Sequence, residues 1–381
     1  MSAGPKILLS AGEASGDRLG ADLARALRER LPSAELLGMG GDDMQAAGVR
    51  RVQDAADVAV VGLVEVLSNL PRIRRAMRRL EDALDRDRPD LVVPIDFPDF
   101  NLRLAARAAA RGIPVVYFVS PQVWAWRSGR VRAMRGRIQR MLVLFPFEVP
   151  FYERAGIPAT FVGHPAIERV PPGEHRPELL AAAGLDPGGT VVALLPGSRR
   201  SEVDRLFPIV LEAARRLRED RPDVQFLIPR ASTIAAGYLE DRIAAAGLSG
   251  ARVHAGDFPA VLTGCAAGAV ASGTATLEAA LAGLPMVVIY RLAPLTYALG
   301  RRLVRLDHVA LPNLIAGRRI VPELIQDDCR PETIARELAG LLQDSRRAAA
   351  MRGDLAEVRA RLGEPGACVR AAEAIARQLS R

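Results

Sequence analysis

The sequence predicts an α/β protein made of two doubly wound, Rossmann-like domains facing a cleft, and three observations carry that expectation. The chain has 381 residues, 49% hydrophobic and 25% charged, enough for two domains of ordinary size. Short apolar runs alternate with longer stretches of helical period, the pattern of parallel strands covered by helices. The alternation stops at a proline-rich stretch and then begins again.

The first series opens with Lys6–Ala11 as a strand and a helix from about Gly16 to Arg30. Strands are expected next at Glu35–Met39, Asp90–Ile95, Pro114–Val119 and Arg140–Leu144, with helices between them. From Gly163 to Pro177 come four prolines, two glycines and little apolar content, which reads as a linker dividing residues 1–165 from 166–381. The second series runs through Val191–Leu195, Val224–Pro229, Arg252–His254, Gly268–Ala271 and Met286–Tyr290. After Arg330 the pattern is helical and ends in an Arg-rich amphipathic segment, about Glu364 to Leu379.

Composition excludes several classes. Disorder does not fit the apolar fraction. Cys265, Cys329 and Cys368 lie far apart with no C-x-x-C, so neither a zinc knuckle nor a disulfide framework is expected, and a reducing cytoplasm suits the chain. Four scattered histidines form no metal-binding pattern. The net charge of +8 suits an anionic partner, but Lys6 is the only lysine, and arginine with alanine enrichment equally fits biased codon usage. No signal peptide is expected from the opening residues. The nearly uncharged Gly264–Tyr290 is broken by Ser272-Gly273-Thr274 and Gly283-Leu284-Pro285, so it reads as strand, loop, helix, strand and not as a membrane span.

Five strand ends carry the candidate chemistry. The first leads into Gly12-Glu13-Ala14-Ser15-Gly16-Asp17, a turn that is neither G-x-G-x-x-G nor a Walker A loop. It suits either a sugar or sugar-phosphate pocket or a tight turn whose glycines serve packing. Asp96 falls where Ile95 ends another strand, a position at which a carboxylate can act as general base; Asp96 or Asp99 could instead cap the following helix. Ser120-Pro121-Gln122-Val123-Trp124-Ala125-Trp126-Arg127 offers aromatic faces and a cation for a sugar, acyl chain or base, or two tryptophans for the core.

In the second half, Pro196-Gly197-Ser198-Arg199-Arg200 suits a diphosphate or a plain capped helix start. Ser272-Gly273-Thr274-Ala275-Thr276 opens a helix in which Glu278 lies one turn on from Thr274, placed to accept both hydroxyls of a ribose. Asp85-Arg86-Asp87 resembles a metal-binding D-x-D but ends a helix, so it reads as surface. Finally, Val64, Val66, Leu67 and Leu70 precede a helix carrying Ile73 and Arg72, Arg74, Arg75, Arg78 and Arg79. This is either an interfacial surface for anionic lipid or an ordinary helix with a basic outer face.

Taken in order, AGEASGD, IDFPDFN, VSPQVWAWR, LLPGSRRSEV, ASGTATLE and LPNLIAGR closely resemble the motifs of the lipid A disaccharide synthase family, from about Ile7 to Gln326. The resemblance implies a GT-B fold and an inverting transfer with no cofactor or metal. UDP-2,3-diacylglucosamine would react with 2,3-diacylglucosamine 1-phosphate to give the β-1,6-linked lipid A disaccharide 1-phosphate and UDP. It implies Asp96 as base, with Glu13 also in the catalytic group. Arg199, Ser198, Gly197 and Ser272–Thr276 would hold the diphosphate, and Glu278 the ribose. Gly12, Ser15, Gly16, Asp17, Asp99, Trp124, Arg127 and Asn313 would line the substrate site. Val64, Val66, Leu67, Leu70 and Ile73 would meet acyl chains at the cytoplasmic face of the inner membrane, and the last helix would cross back to the first domain. Gly40-Gly41-Asp42-Asp43-Met44 and Asp307-His308 depart from the expected pattern and bear on substrate preference. Two rivals are another UDP-sugar enzyme of the same fold and a nucleic-acid-binding module; with 4% aromatic residues and no known motif, nucleic acid is not an expected partner.

Overall fold

A computed structural model describes residues 4–58, 70–121, 128–170, 175–256, 258–292, 297 and 308–380. The chain divides into two compact units, Met1–Pro165 with Gly363–Arg381, and Ala166–Leu362.

The first unit is built on β1 (Lys6–Ala11), β2 (Glu35–Gly40), β3 (Arg50–Asp54), β4 (Leu91–Ile95), β5 (Val116–Phe118), β6 (Arg140–Val143) and β7 (Ala159–Phe161). All neighbours are parallel, in the order β3-β2-β1-β4-β5-β6-β7. The described connections hold α1 (Ala14–Arg30), α2 (Asp42–Ala46), α3 (Leu70–Arg86), α4 (Pro98–Ala110), α5 (Ser128–Met134) and α6 (Glu148–Arg154). The central strands are continuous apolar runs because both faces of a parallel sheet are covered; Ile7, Leu8, Leu9, Val92, Val93 and Phe118 have no exposed surface.

The second unit repeats the plan with β8 (Val191–Leu195), β9 (Gln225–Arg230), β10 (Ala251–Ala255), β11 (Ala267–Ala271), β12 (Met286–Tyr290) and β13 (Glu323–Ile325), ordered β10-β9-β8-β11-β12-β13 and parallel. Its described helices are α7 (Ala166–Arg169), α8 (Glu178–Ala182), α9 (Arg200–Asp220), α10 (Tyr238–Ala245), α11 (Pro259–Leu262), α12 (Thr274–Leu281), α13 (Leu311–Ala316), α14 (Pro331–Gln343) and α15 (Ser345–Arg361). The last helix, α16 (Ala367–Leu379), belongs to the first unit, where it packs along α1 and Arg370 donates to the Val162 carbonyl at 2.8 Å.

In each sheet the strand order reverses once, between β1 and β4 and between β8 and β11. The loops leaving neighbouring strands diverge there, opening a crevice at the carboxyl ends. Pro94 sits inside β4 and has no N–H to give β5. Val92 and Asp96 on either side donate to Pro114 and Phe118, and the ladder is open between them.

The structure corrects some expectations. β3, β7 and β13, absent from the sequence reading, are short edge strands of mixed polarity, so no apolar run marks them. The expected linker is partly packed. His164 is buried against Phe145 (ring centroids 5.3 Å apart), α7 lies within the stretch, and Arg359 donates to the carbonyls of Ile167 and Val170. Ile73 packs against the core of its unit, while Arg72, Arg74, Arg75, Arg78 and Arg79 cover the outside of α3. Val64, Val66 and Leu67 lie outside the described residues. Asp85, as the sequence predicts, is a surface carboxylate, held by Nε and an Nη of Arg111 (2.7 and 2.8 Å), and Asp87 pairs with Arg50 at 2.7 Å.

Candidate active site

At the β1/β4 crevice the chain leaves β4 through two consecutive left-handed residues, Asp96 (φ 47°) and Phe97 (φ 49°), before α4 begins at Pro98. Neither Asp96 nor Asp99 is the N-cap; Phe97 holds that place. Two adjacent non-glycine residues in this region cost about 1–3 kcal/mol each and persist only where surrounding groups over-determine them. Asn101, fully buried in the first turns of α4, supplies that constraint. Its amide reaches the carbonyls of Ser10 (2.9 Å), Ile95 (3.2 Å) and Asp96 (2.8 Å), and its Oδ1 accepts from the Ser10 hydroxyl at 2.7 Å. The Tyr117 hydroxyl donates to the Asp96 carbonyl at 2.7 Å, and the Asp96 N–H donates to Phe118 at 3.0 Å. The result is an aspartate whose backbone is tied on both sides while its side chain remains partly exposed.

Burial raises the Asp96 carboxyl to about 6, and the charge of Glu13 adds to the rise. Such a group is largely ionised near neutrality yet more basic than an ordinary carboxylate, the condition that suits a general base. Glu13 is the exposed N-cap residue of α1, on the opposite lip of the crevice. The two lips interlock: a Cβ on Gly12 would come within 2.2 Å of the Phe97 ring.

The end of β5 is built in the same way. Val119 has φ 63°, a strained value for a β-branched residue. The Ser120 hydroxyl donates to buried Glu148 at 2.5 Å, Glu148 also accepts from the Phe145 N–H at 3.1 Å, and the Tyr152 hydroxyl donates to the Pro121 carbonyl at 2.8 Å. These ties fix the residues leading into 122–127, which with Trp124 and Arg127 lie outside the described residues.

At the β8/β11 crevice, Gly197 takes φ 115°, and a Cβ there would meet Glu202 at 2.9 Å. Glu202 accepts from the Arg199 N–H at 3.3 Å and lies 3.6 Å from its guanidinium, capping the start of α9. The tandem arginines then separate. Arg200 pairs with Asp204 at 3.5 Å and lies over the Tyr238 ring, whereas the Arg199 side chain is 71% exposed beside Gly197 and Ser198. The hydroxyl of Thr233 donates to the Ser198 carbonyl. After β11, Gly273 (φ 153°) turns the chain into α12 with nothing near its missing side chain, and Thr274 is exposed at the helix start. Glu278 is half-buried one turn further on. Among the described residues, no group of three or more His, Cys, Asp or Glu side chains could hold a metal ion.

Residues 7–378 match the model of the family described as lipid-A-disaccharide synthetase. The chain belongs to that family. A lipid-A-disaccharide synthase of Geobacter sulfurreducens is 47% identical over 376 residues, covering 99% of this chain and 98% of the relative. One from Myxococcus xanthus is 44% identical, covering 97% of each chain. Solved structures with the same fold include a S. aureus MnaA–UDP co-structure (TM-score 0.67, 14% identical, 99% of this chain and 97% of that one). The calicheamicin glycosyltransferase CalG4 also shares it (TM-score 0.61, 20% identical, 100% and 99%). The architecture is therefore GT-B, two Rossmann-like domains with parallel sheets.

Within this family frame, several residues expected at the substrate turn inward. The Asp17 carboxylate accepts from the N–H groups of Gly41 (2.6 Å), Asp43 (3.1 Å) and Met44 (3.2 Å), capping α2; a Cβ on Gly41 would collide with it. Gly16 is buried against Ala11, and Gly12 makes room for Phe97, so both serve packing, while Ser15 is exposed on the first turn of α1. Thr276 is buried and returns its hydroxyl to the Gly273 carbonyl at 2.7 Å. Asn313 is fully committed: its amide donates to Val321 (3.0 Å) and Glu323 (2.8 Å), and its carbonyl accepts from Ile320 (2.7 Å) and Val321 (2.9 Å). Glu323 in turn accepts from the N–H groups of Val309 and Ala310. Asn313 therefore shapes the loop before α13, whose Val309 carbonyl lies 3.4 Å from the Ser272 hydroxyl. Asn101, Tyr117, Glu148 and Glu323 were missed; only Asn101 carried a signal, its place five residues after Asp96.

Proposed function

We propose that the chain transfers 2,3-diacylglucosamine from UDP-2,3-diacylglucosamine to the 6-hydroxyl of 2,3-diacylglucosamine 1-phosphate, making the β-1,6-linked lipid A disaccharide 1-phosphate and UDP. Family membership supports the reaction. The observation that carries the chemistry is Asp96, a partly exposed carboxylate raised to about 6 on an over-determined turn at the β1/β4 crevice.

In this reading Asp96 takes the proton of the acceptor hydroxyl as its oxygen attacks the anomeric carbon opposite the diphosphate. The carbon–oxygen bond to UDP breaks, its electron pair leaves on the diphosphate, and the configuration inverts. Glu13 helps keep Asp96 basic. Arg199, Ser198 and the first amides of α9 and α12 receive the diphosphate charge. Glu278 accepts the ribose hydroxyls. A Neisseria meningitidis UDP-GlcNAc 2-epimerase of similar fold was solved with UDP-GlcNAc and the S. aureus structure with UDP, which supports a UDP-sugar donor.

The enzyme works at an anionic membrane surface, to which α3 offers Arg72, Arg74, Arg75 and Arg78. Among the described residues no helix is long and apolar enough to cross a membrane. The experiment compares UDP release, with acceptor present, from UDP-2,3-diacylglucosamine and from UDP-GlcNAc. Transfer restricted to the acylated donor is expected, and equal turnover of the unacylated one contradicts the lipid substrate.

A further inference from the structure

Beside the Asp96 turn, α4 and the end of α5 enclose an open groove of about 270 Å³ in the first unit. Its walls are apolar along their length: Leu102, Ala105 and Ala106 on α4, with Met134 and Ile138 opposite. Two exposed arginines, Arg103 and Arg137, stand in it, and Asp99 lies at the end nearest the turn. Asp99 already has a partner of its own.

The arginines are the informative feature. Along α4, Arg107 pairs with Glu81 and Arg111 with Asp85, each one turn further on. Arg103, on the turn before them, has no ion-pair or hydrogen-bond partner among the described residues, and neither has Arg137 across the groove. Two unneutralised guanidinium groups over an apolar floor are complementary to a phosphate attached to a hydrocarbon chain. The volume lies just below the roughly 300 Å³ at which whole-ligand pockets begin, so the groove suits part of a larger molecule. Four residues of helix separate Asp99 from Arg103, a rise of about 6 Å. That is the scale of one sugar ring between a hydroxyl at the turn and a phosphate at the arginines.

We propose that this groove holds the acceptor, with its 1-phosphate on Arg103 and Arg137 and the base of one acyl chain on the apolar walls; the assignment rests on the lipid-sugar transfer proposed above. The two arginines are binding and specificity residues and take no part in proton transfer. They would distinguish a lipid phosphomonoester from the same lipid without its phosphate.

The test measures KM for donor and acceptor in detergent micelles with wild type, R103A/R137A, R103K/R137K and A106W, which fills the groove. Acceptor KM should rise about tenfold or more in R103A/R137A and A106W, with donor KM and kcat at saturating acceptor within about twofold. R103K/R137K should recover most of the loss. Wild type should discriminate against dephosphorylated acceptor, and R103A/R137A should not. An unchanged acceptor KM overturns the proposal. So does a loss confined to binding of phosphatidylglycerol vesicles, which would give the arginines to the membrane. If wild type transfers nothing to the lipid acceptor, the proposed reaction fails. Titration with dodecyl phosphate then decides the groove alone: weaker binding to R103A/R137A than to wild type upholds it, and equal binding removes it.

Discussion

Replacing Asp96 with asparagine should remove most turnover and make the protein more stable. The carboxylate is raised from its ordinary 3.8 to about 6 by burial and by Glu13. At about 1.4 kcal/mol per pH unit, the ionised form therefore costs the folded state about 3 kcal/mol, an upper figure because part of the group meets water. The sign follows from linkage. A carboxyl whose folded pKa is raised binds its proton more tightly when folded, so the cost is fully present above about pH 6 and vanishes as pH falls below 3.8. Asparagine keeps the shape and removes the charge. A domain of roughly 150–250 residues gains about 2–4 °C per kcal/mol, so Asp96→Asn should melt higher at pH 7.5, by at most about 6–12 °C, and should lose that advantage by about pH 4. Turnover should fall by about 10²–10⁴, the usual worth of a general base, with UDP affinity kept. The assays are thermal melts from pH 4 to 8 and UDP release. A melting temperature that does not rise at pH 7.5, or a rise independent of pH, would refute the environment assigned to Asp96. Normal turnover would remove it as the base.

Three further substitutions separate contact from support. Arg199→Ala should raise donor KM or lower kcat by about tenfold or more while leaving the melting temperature within about a degree, because its side chain is largely exposed and its pair with Glu202 lies at the surface; unchanged kinetics would take the diphosphate from Arg199. Asn313→Ala should lower stability by about 3 kcal/mol or more, since it strands three buried backbone groups of Ile320 and Val321, and a urea melt with no change would contradict the structural role given to this residue. Gly197→Ala should raise donor KM and cost about 1–3 kcal/mol, because φ 115° and the contact with Glu202 both resist a side chain; wild-type donor KM would show that the turn tolerates displacement.

The repeated strand–helix series was legible because parallel strands buried on both faces must be apolar runs, and β1, β4, β8, β11 and β12 are such runs. The turns after β1, β4, β8 and β11 were legible for a related reason: small, polar residues directly after a buried strand mark the carboxyl edge. The edge strands Arg50–Asp54, Ala159–Phe161 and Glu323–Ile325 carried no such signal. Asp17 and Asn313 show a harder limit. A polar residue in a glycine-rich motif has the same sequence appearance whether it faces a ligand or satisfies backbone N–H groups from elsewhere. The partners that decide it lie 24 to 27 residues on for Asp17, and for Asn313 across the loop and short edge strand that follow α13, 7 to 10 residues on. Glu148 is hidden for the same reason, since the Ser120 hydroxyl that it receives lies 28 residues away along the chain.

Attack of a lipid acceptor on a UDP-sugar with Asp96 as base is tested most directly by one assay. UDP release from UDP-2,3-diacylglucosamine should be measured in detergent with EDTA, with and without 2,3-diacylglucosamine 1-phosphate, for wild type and Asp96→Ala. Release that requires the acceptor, persists in EDTA and is lost in the variant is the predicted result. Release at the same rate without acceptor, or undiminished in Asp96→Ala, would contradict it.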